Sequence, residues 1–139
     1  MDSTLPSPTQ DERTMAMLAH LLQLFTGFLG PLVIYFVRRE SRFVAFHSLQ
    51  ALFWQLLLAL FFFVGIVLMI FTAVAGASGG HSGNMPPLFF GVIVLFWLGT
   101  FAVSILNLVV VIYFTVKASK GEWAENPLVA RWARQVAGV

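Results

Sequence analysis

The stretch LLLALFFFVGIVLMIFT, from Leu56 to Thr72, decides the fold. It carries no charge and only one hydroxyl, so a helix built from it has no polar face to turn toward water. A helix that is apolar all round is buried in a large core or in a lipid bilayer. This chain has 139 residues, too few to wrap such a helix in protein and still present a polar surface. Composition points the same way. Hydrophobic residues make up 59% and charged residues 10%, where soluble domains carry about 25% charge. Mean hydropathy is +0.88. Disorder is excluded by the same balance. With no cysteine, disulfide frameworks, thiolate zinc sites, iron–sulfur clusters and covalently attached haem are excluded as well. The reading is an all-α integral membrane protein.

Working outward, the run around Leu56 extends from Phe43 to about Ala77, too long for one perpendicular crossing. Its start, Phe43-Val44-Ala45-Phe46-His47-Ser48-Leu49-Gln50, mixes aromatics with polar side chains. It reads as an interfacial segment feeding a span over residues 50–76. Before it lies a first uncharged run, Met15 to Val37, whose 23 residues would make a helix of roughly 34 Å, enough to cross a ~30 Å hydrocarbon core. Gly30-Pro31 should kink it. After it, a Gly/Ser/Pro-rich loop from Gly76 to Pro87 leads to a third run, Leu88 to Val116. Three spans are therefore expected, at about 15–37, 50–76 and 88–116. A polar N-terminal tail, residues 1–14, precedes them; it has no signal-peptide pattern and turns helical near Asp11 and Glu12. An amphipathic tail, residues 117–139, follows. There Asn126-Pro127 resembles a helix start, and Leu128, Trp132 and Val136 recur four apart beside Arg131, Arg134 and Gln135. Such a short basic amphipathic helix lies on a membrane surface. No internal repeat is visible.

Charge sets the expected orientation. Arg13 is the one basic residue of the N-terminal tail, and the first loop holds Arg38, Arg39 and Arg42. The second loop has none, whereas the C-terminal tail has Lys117, Lys120, Arg131 and Arg134. Lys and Arg mark cytoplasmic loops. With three spans, the N-terminus lies outside and the C-terminus in the cytoplasm of a multi-pass protein of the bacterial inner (plasma) membrane. The basic residues flank spans and attract anionic head groups; they form no aromatic-interleaved patch, so no nucleic-acid partner is expected.

Polar residues inside the runs are candidates for helix packing or function. His20 and Gln23 share a small, polar face of the first run with Ala16, Gly27 and Gly30. Gln55 lies on the second, and Thr100, Ser104 and Asn107 are four and three apart on the third. Gln55 and Asn107 both fall in the inner half, close enough in depth to pair. The alternative is a polar path between helices, but no Asp, Glu, Lys or Arg lies within the spans, so a proton- or ion-coupled carrier is disfavoured. Of three histidines, His20 falls in the outer half of the first span, His47 at the inner boundary and His81 in the outer loop. That separation argues against a haem between His20 and His47. No catalytic constellation is present, so neither an enzyme nor a bound metal or cofactor is expected.

Two segments resemble a known family. Phe43-Val44-Ala45-Phe46-His47-Ser48-Leu49-Gln50-Ala51-Leu52, directly after a basic turn, is similar to the helix entry of the small multi-span Tic subunit of the chloroplast inner-envelope translocon and its prokaryotic relatives. Lys117-Ala118-Ser119-Lys120-Gly121-Glu122-Trp123, with Asn126-Pro127-Leu128 beyond, resembles the close of the bacterial members, and Gly30-Pro31-Leu32 also fits. The resemblance implies a membrane location and no defined activity. Both patterned segments should lie side by side at the inner surface, where Arg38, Arg39, Glu40, Arg42, His47, Gln50, Lys117, Lys120, Glu122 and Trp123 could grip a partner or lipid head groups. The expected function is that of a small non-enzymatic inner-membrane protein, an accessory or assembly/translocation-related component. It would work through membrane lipids and other membrane proteins or self-association. The alternative is a homo-oligomeric channel or translocation pore.

Overall fold

Thr9 caps the first helix. Its side chain accepts a hydrogen bond from the Glu12 backbone N–H at 3.3 Å, and its own N–H donates to the Glu12 carboxylate at 2.7 Å. This reciprocal cap satisfies two amides that a helix start leaves orphaned. The structure, a computed structural model, describes residues 7–78 and 87–139; His81 and most of the Gly/Ser/Pro-rich segment lie outside them. Among the described residues every regular element is an α-helix: α1 (Gln10–Thr26), α2 (Leu29–Val37), α3 (Arg42–Ser78), α4 (Pro87–Ser119) and α5 (Ala130–Ala137). Two of them, α3 and α4, are long and apolar enough to cross a membrane.

The first run, expected as one helix, is divided. Met15–Val37 is not one kinked helix but two helices, α1 and α2, packed against each other as a hairpin. The break lies at Gly27, where φ is +59° and ψ −130°, a conformation that L side chains rarely adopt. Thr26 seals the turn. Its hydroxyl donates to the Leu22 carbonyl at 2.8 Å and accepts from the Gly30 N–H at 2.9 Å. A turn surrounded by apolar side chains must satisfy its backbone internally, and this one does so at both helix ends. Gly30 approaches Leu22 and Thr26 so closely that a Cβ would collide with both. Pro31 sits in the first turn of α2, where its missing N–H disrupts no helical bond. At the open end of the hairpin Arg38 pairs with Asp11, and the Ser41 hydroxyl donates to Glu12 at 2.6 Å. At about 1.5 Å per residue, α2 is roughly 13 Å long, less than half of a bilayer core.

A second boundary also moves. Phe43–Gln50 is not a separate interfacial segment: it forms the first turns of α3, which runs unbroken from Arg42. Every side chain from Phe43 to Ala51 is buried. At the other end, Asn126 does not cap α5 directly. Its side chain accepts from the Leu128 N–H at 3.1 Å in a turn, and α5 starts at Ala130.

Contacts divide the chain into two units. One comprises residues up to Leu56 together with Leu108–Val139. Its core brings Ala16 of α1, Phe43 of α3 and Ala118 of α4 together under Trp123, while Phe46 and Leu49 of α3 pack on Ala133 of α5. The other unit is Leu57–Asn107. There Phe61 and Phe62 of α3 meet Phe96 of α4, whose ring covers Gly65 so closely that no Cβ could be added. No charged residue occurs in this second unit.

Candidate functional site

The two patterned segments of the sequence meet in the first unit. Beyond α4 the chain turns at Gly121, whose φ of +76° and closeness to Arg13 and Pro8 leave no place for a side chain. It then runs back along the first turns of α3 without helical hydrogen bonds, so its amides and carbonyls need other partners. Gln50 supplies two of them. Its amide donates to the Ala124 carbonyl at 2.9 Å, and its carbonyl accepts from the Asn126 N–H at 2.6 Å. One turn earlier on α3, His47 Nε2 lies 3.1 Å from the Glu122 carbonyl. A carbonyl only accepts, so Nε2 carries the proton and Nδ1 of His47 is the acceptor. His20 Nε2, 3.2 Å from that Nδ1, therefore donates to it. A directed chain runs from α1 through α3 to the segment beyond α4.

This overturns the separation assigned to the two histidines. Because α1 folds back as one arm of a hairpin, His20 lies beside His47, and both rings are buried. The His20 ring stacks on Phe114 of α4 at 5.7 Å, and His47 stands edge-on to Phe43 at 4.6 Å. Trp123 packs edge-on against Phe43 and tilted against Phe46, closing the site from the side of the returning segment. Lower on the hairpin, Gln55 donates to the Gln23 backbone and side-chain oxygens at 3.3 and 3.4 Å. The polar face of the first run, Ala16, His20 and Gln23, is thus buried inside the unit and satisfied there.

Arg38, Arg39, Glu40 and Arg42 are exposed on the turn between α2 and α3, whereas His47 and Gln50 point inward. Lys117 pairs with Glu122 at 2.5 Å and lies over the Tyr113 ring, holding the Glu122 carboxyl below its usual range. Lys120 is exposed and Trp123 half-buried. The Glu12 carboxyl is also held below its ordinary value, first by the Ser41 hydroxyl and then by the Thr9 N–H. Beside it opens a cavity of about 340 Å³, lined by Asp11, Arg38, Glu40 and Val44 among others. In the second unit the Ser104 hydroxyl donates to the Thr100 carbonyl at 2.7 Å, while the Thr100 hydroxyl is buried without a partner among the described residues; Asn107 ends the α4 portion of that unit. Among the described residues no three His, Asp or Glu side chains converge as a metal site.

Sequence reasoning missed the pairing of Asn126 with Gln50 and of His20 with His47. The available signal was Gln50 itself, an amide in an otherwise apolar run whose two ends match one donor and one acceptor of an extended chain.

Comparison with known proteins identifies the family. A family model described as the magnetosome magnetite crystal formation protein family, MamF/MmsF, matches residues 11–133, which include the hairpin, both long helices and the returning segment. Neither a curated protein nor a solved structure matches. The match corrects the resemblance to the Tic-like family: the helix entry at Phe43–Leu52 and the close at Lys117–Leu128 are the two halves of one packed site, and both lie inside the matched region. The chain belongs to the MamF/MmsF magnetosome magnetite crystal formation family.

Proposed function

We propose that this chain is a two-span accessory protein of the magnetosome membrane that serves magnetite crystal formation through contacts, without catalysis of its own. In this reading α3 and α4 cross the bilayer and the α1–α2 hairpin enters it from one side and returns. The outer face of the hairpin supports that placement, since Phe25, Phe28, Leu29, Val33 and Phe36 are exposed. An even number of crossings puts both termini on the same side. All eight Lys and Arg fall outside Leu57–Asn107, which favours the cytoplasm for that side. The connection between α3 and α4 then faces the opposite side, the vesicle lumen.

The observation that carries the proposal is the packed site at the charged end. His20, His47 and Gln50 spend their polar atoms on each other and on backbone. These bonds tie α1 and the returning segment to the first turns of α3. Exposed Arg39, Arg42 and Lys120 remain around it for contacts with other membrane proteins or with further copies.

The test is replacement of the chain in a magnetosome-forming cell. Cells lacking it are expected to form membrane vesicles holding crystals of altered size or shape by electron microscopy. A Gln50→Met chain, present in the vesicle fraction at normal level, should reproduce much of that defect. Unaltered crystals in cells lacking the chain would overturn the proposal.

A further inference from the structure

Helix α5 has three faces. Successive residues advance about 100° around a helix. Ala133 and Ala137 face the core, against Phe46 and Leu49 of α3. Trp132 and Val136 occupy the neighbouring sector and are each 54% exposed, continuing the exposure of Leu128 just before the helix. Arg131 and Gln135 lie beyond them, toward the polar side. Arg134 is committed to Glu125 and to the face of the Phe46 ring. The Arg131 side chain has no ion pair or hydrogen bond among the described residues, and neither do those of Arg39, Arg42 and Lys120. The apolar sector is not isolated: the Trp132 ring stands edge-on to Phe53, 6.4 Å away on α3. Phe53 is half-buried and belongs to a helix that is read as spanning the bilayer.

We infer that this face of α5 lies in the bilayer boundary, with Leu128, Trp132 and Val136 among the first acyl carbons and Arg131 on the head group of an anionic phospholipid. The pattern of charge selects this occupant. Apolar side chains continuous with the side of a span favour acyl chains, and an unpaired guanidinium at their edge favours the phosphate of an acidic lipid. Among the described residues unpaired cations outnumber unpaired carboxylates around the same end of the unit, and Glu40 is there the one exposed acid without an ion pair. Trp suits this depth because its ring is apolar and its N–H is not. The inference rests on the two-span placement proposed above.

The experiment uses the full-length chain in nanodiscs of phosphatidylcholine, with or without phosphatidylglycerol, carrying bromine at shallow or deep acyl positions. The difference between the parent and Trp132→Phe isolates Trp132 from Trp54, Trp97 and Trp123. Trp132 is expected to be quenched more by shallow than by deep bromine. Arg131→Gln should lower retention of phosphatidylglycerol on the order of fivefold while leaving phosphatidylcholine unchanged. Unquenched Trp132 beside a quenched Trp97 would overturn the lipid contact and leave the spans standing. If Trp97, exposed on α4, were unquenched as well, the placement of the spans would fall with it. Equal lipid retention by both chains, or cross-linking from position 132 to a second copy or another protein, would also overturn the inference.

Discussion

Replacing Gln50 by Met tests how the returning segment is held. Methionine keeps the length and most of the volume of the side chain, so the change removes hydrogen bonding more than packing. Two backbone groups lose their partner. The Asn126 N–H, on a residue that is 4% exposed and now bonded at 2.6 Å, has no access to water. An orphaned buried donor costs about 1–3 kcal/mol. The Ala124 carbonyl is half-buried, so water replaces part of its lost bond and its share is smaller. Together the loss is about 2–4 kcal/mol, and it falls on the attachment of residues 122–139 to α3. At ~1.4 kcal/mol per tenfold, the detached population should rise roughly 30- to 700-fold. Trypsin reads this directly, since cleavage at Arg131 inside α5 requires the segment to open. In detergent, Gln50→Met should be cut there faster by that factor, while Gln135→Met, on the exposed side of α5, should match the parent. Equal cleavage of the Gln50→Met and parent chains would refute the assignment of Gln50 as the clamp.

Other outcomes follow from the same geometry. Gly27→Ala places a side chain at a φ of +59° with no steric neighbour, so its cost is conformational; it should destabilise the hairpin by about 1–3 kcal/mol, measured by urea unfolding in micelles. His20→Phe keeps the stack on Phe114 but leaves His47 Nδ1 without its donor. A loss of about 1–3 kcal/mol is expected in the same assay. Glu12 titrates below its ordinary value of 4.5, so it stabilises the folded hairpin above that pH, and this contribution is lost as pH falls through the lower folded value. The protection of the α1 amides from hydrogen exchange, taken relative to the intrinsic rate at each pH, should fall in that acidic window in the parent and stay level in Glu12→Gln. Replacing Arg38, Arg39 and Arg42 together by Ser removes the basic turn and should scramble the sidedness of the chain, read by accessibility of an introduced cysteine.

Much of this fold is written in hydropathy. Leu56–Thr72 and Leu88–Val116 read as spans because nothing but length and apolarity is needed, and α3 and α4 run through both. The hairpin is not legible that way. A hairpin of two apolar helices reads like one apolar span, so Met15–Val37 passes the same test. The feature that separates them, a positive φ at Gly27, is hidden among eleven glycines. Gly30-Pro31, the more conspicuous break signal, fits within the first turn of α2. Phe43–Gln50 reads as interfacial because its polar residues show no single face. They show none because α1, α5 and the returning segment each cover a different side. The proximity of the two patterned segments was readable from topology, while the bonds between them were not: a glutamine that clamps a backbone looks like one that packs between helices.

In the proposed two-span placement both termini lie on one side of the membrane. The chain has no cysteine, so single cysteines at Ser7, Ser82 and Gln135 report sidedness without background. Intact magnetosome vesicles are treated with a membrane-impermeant maleimide. The account predicts labelling of Ser7→Cys and Gln135→Cys, with Ser82→Cys protected until detergent is added. Labelling at position 135 with protection at position 7 would restore a third crossing and contradict the hairpin.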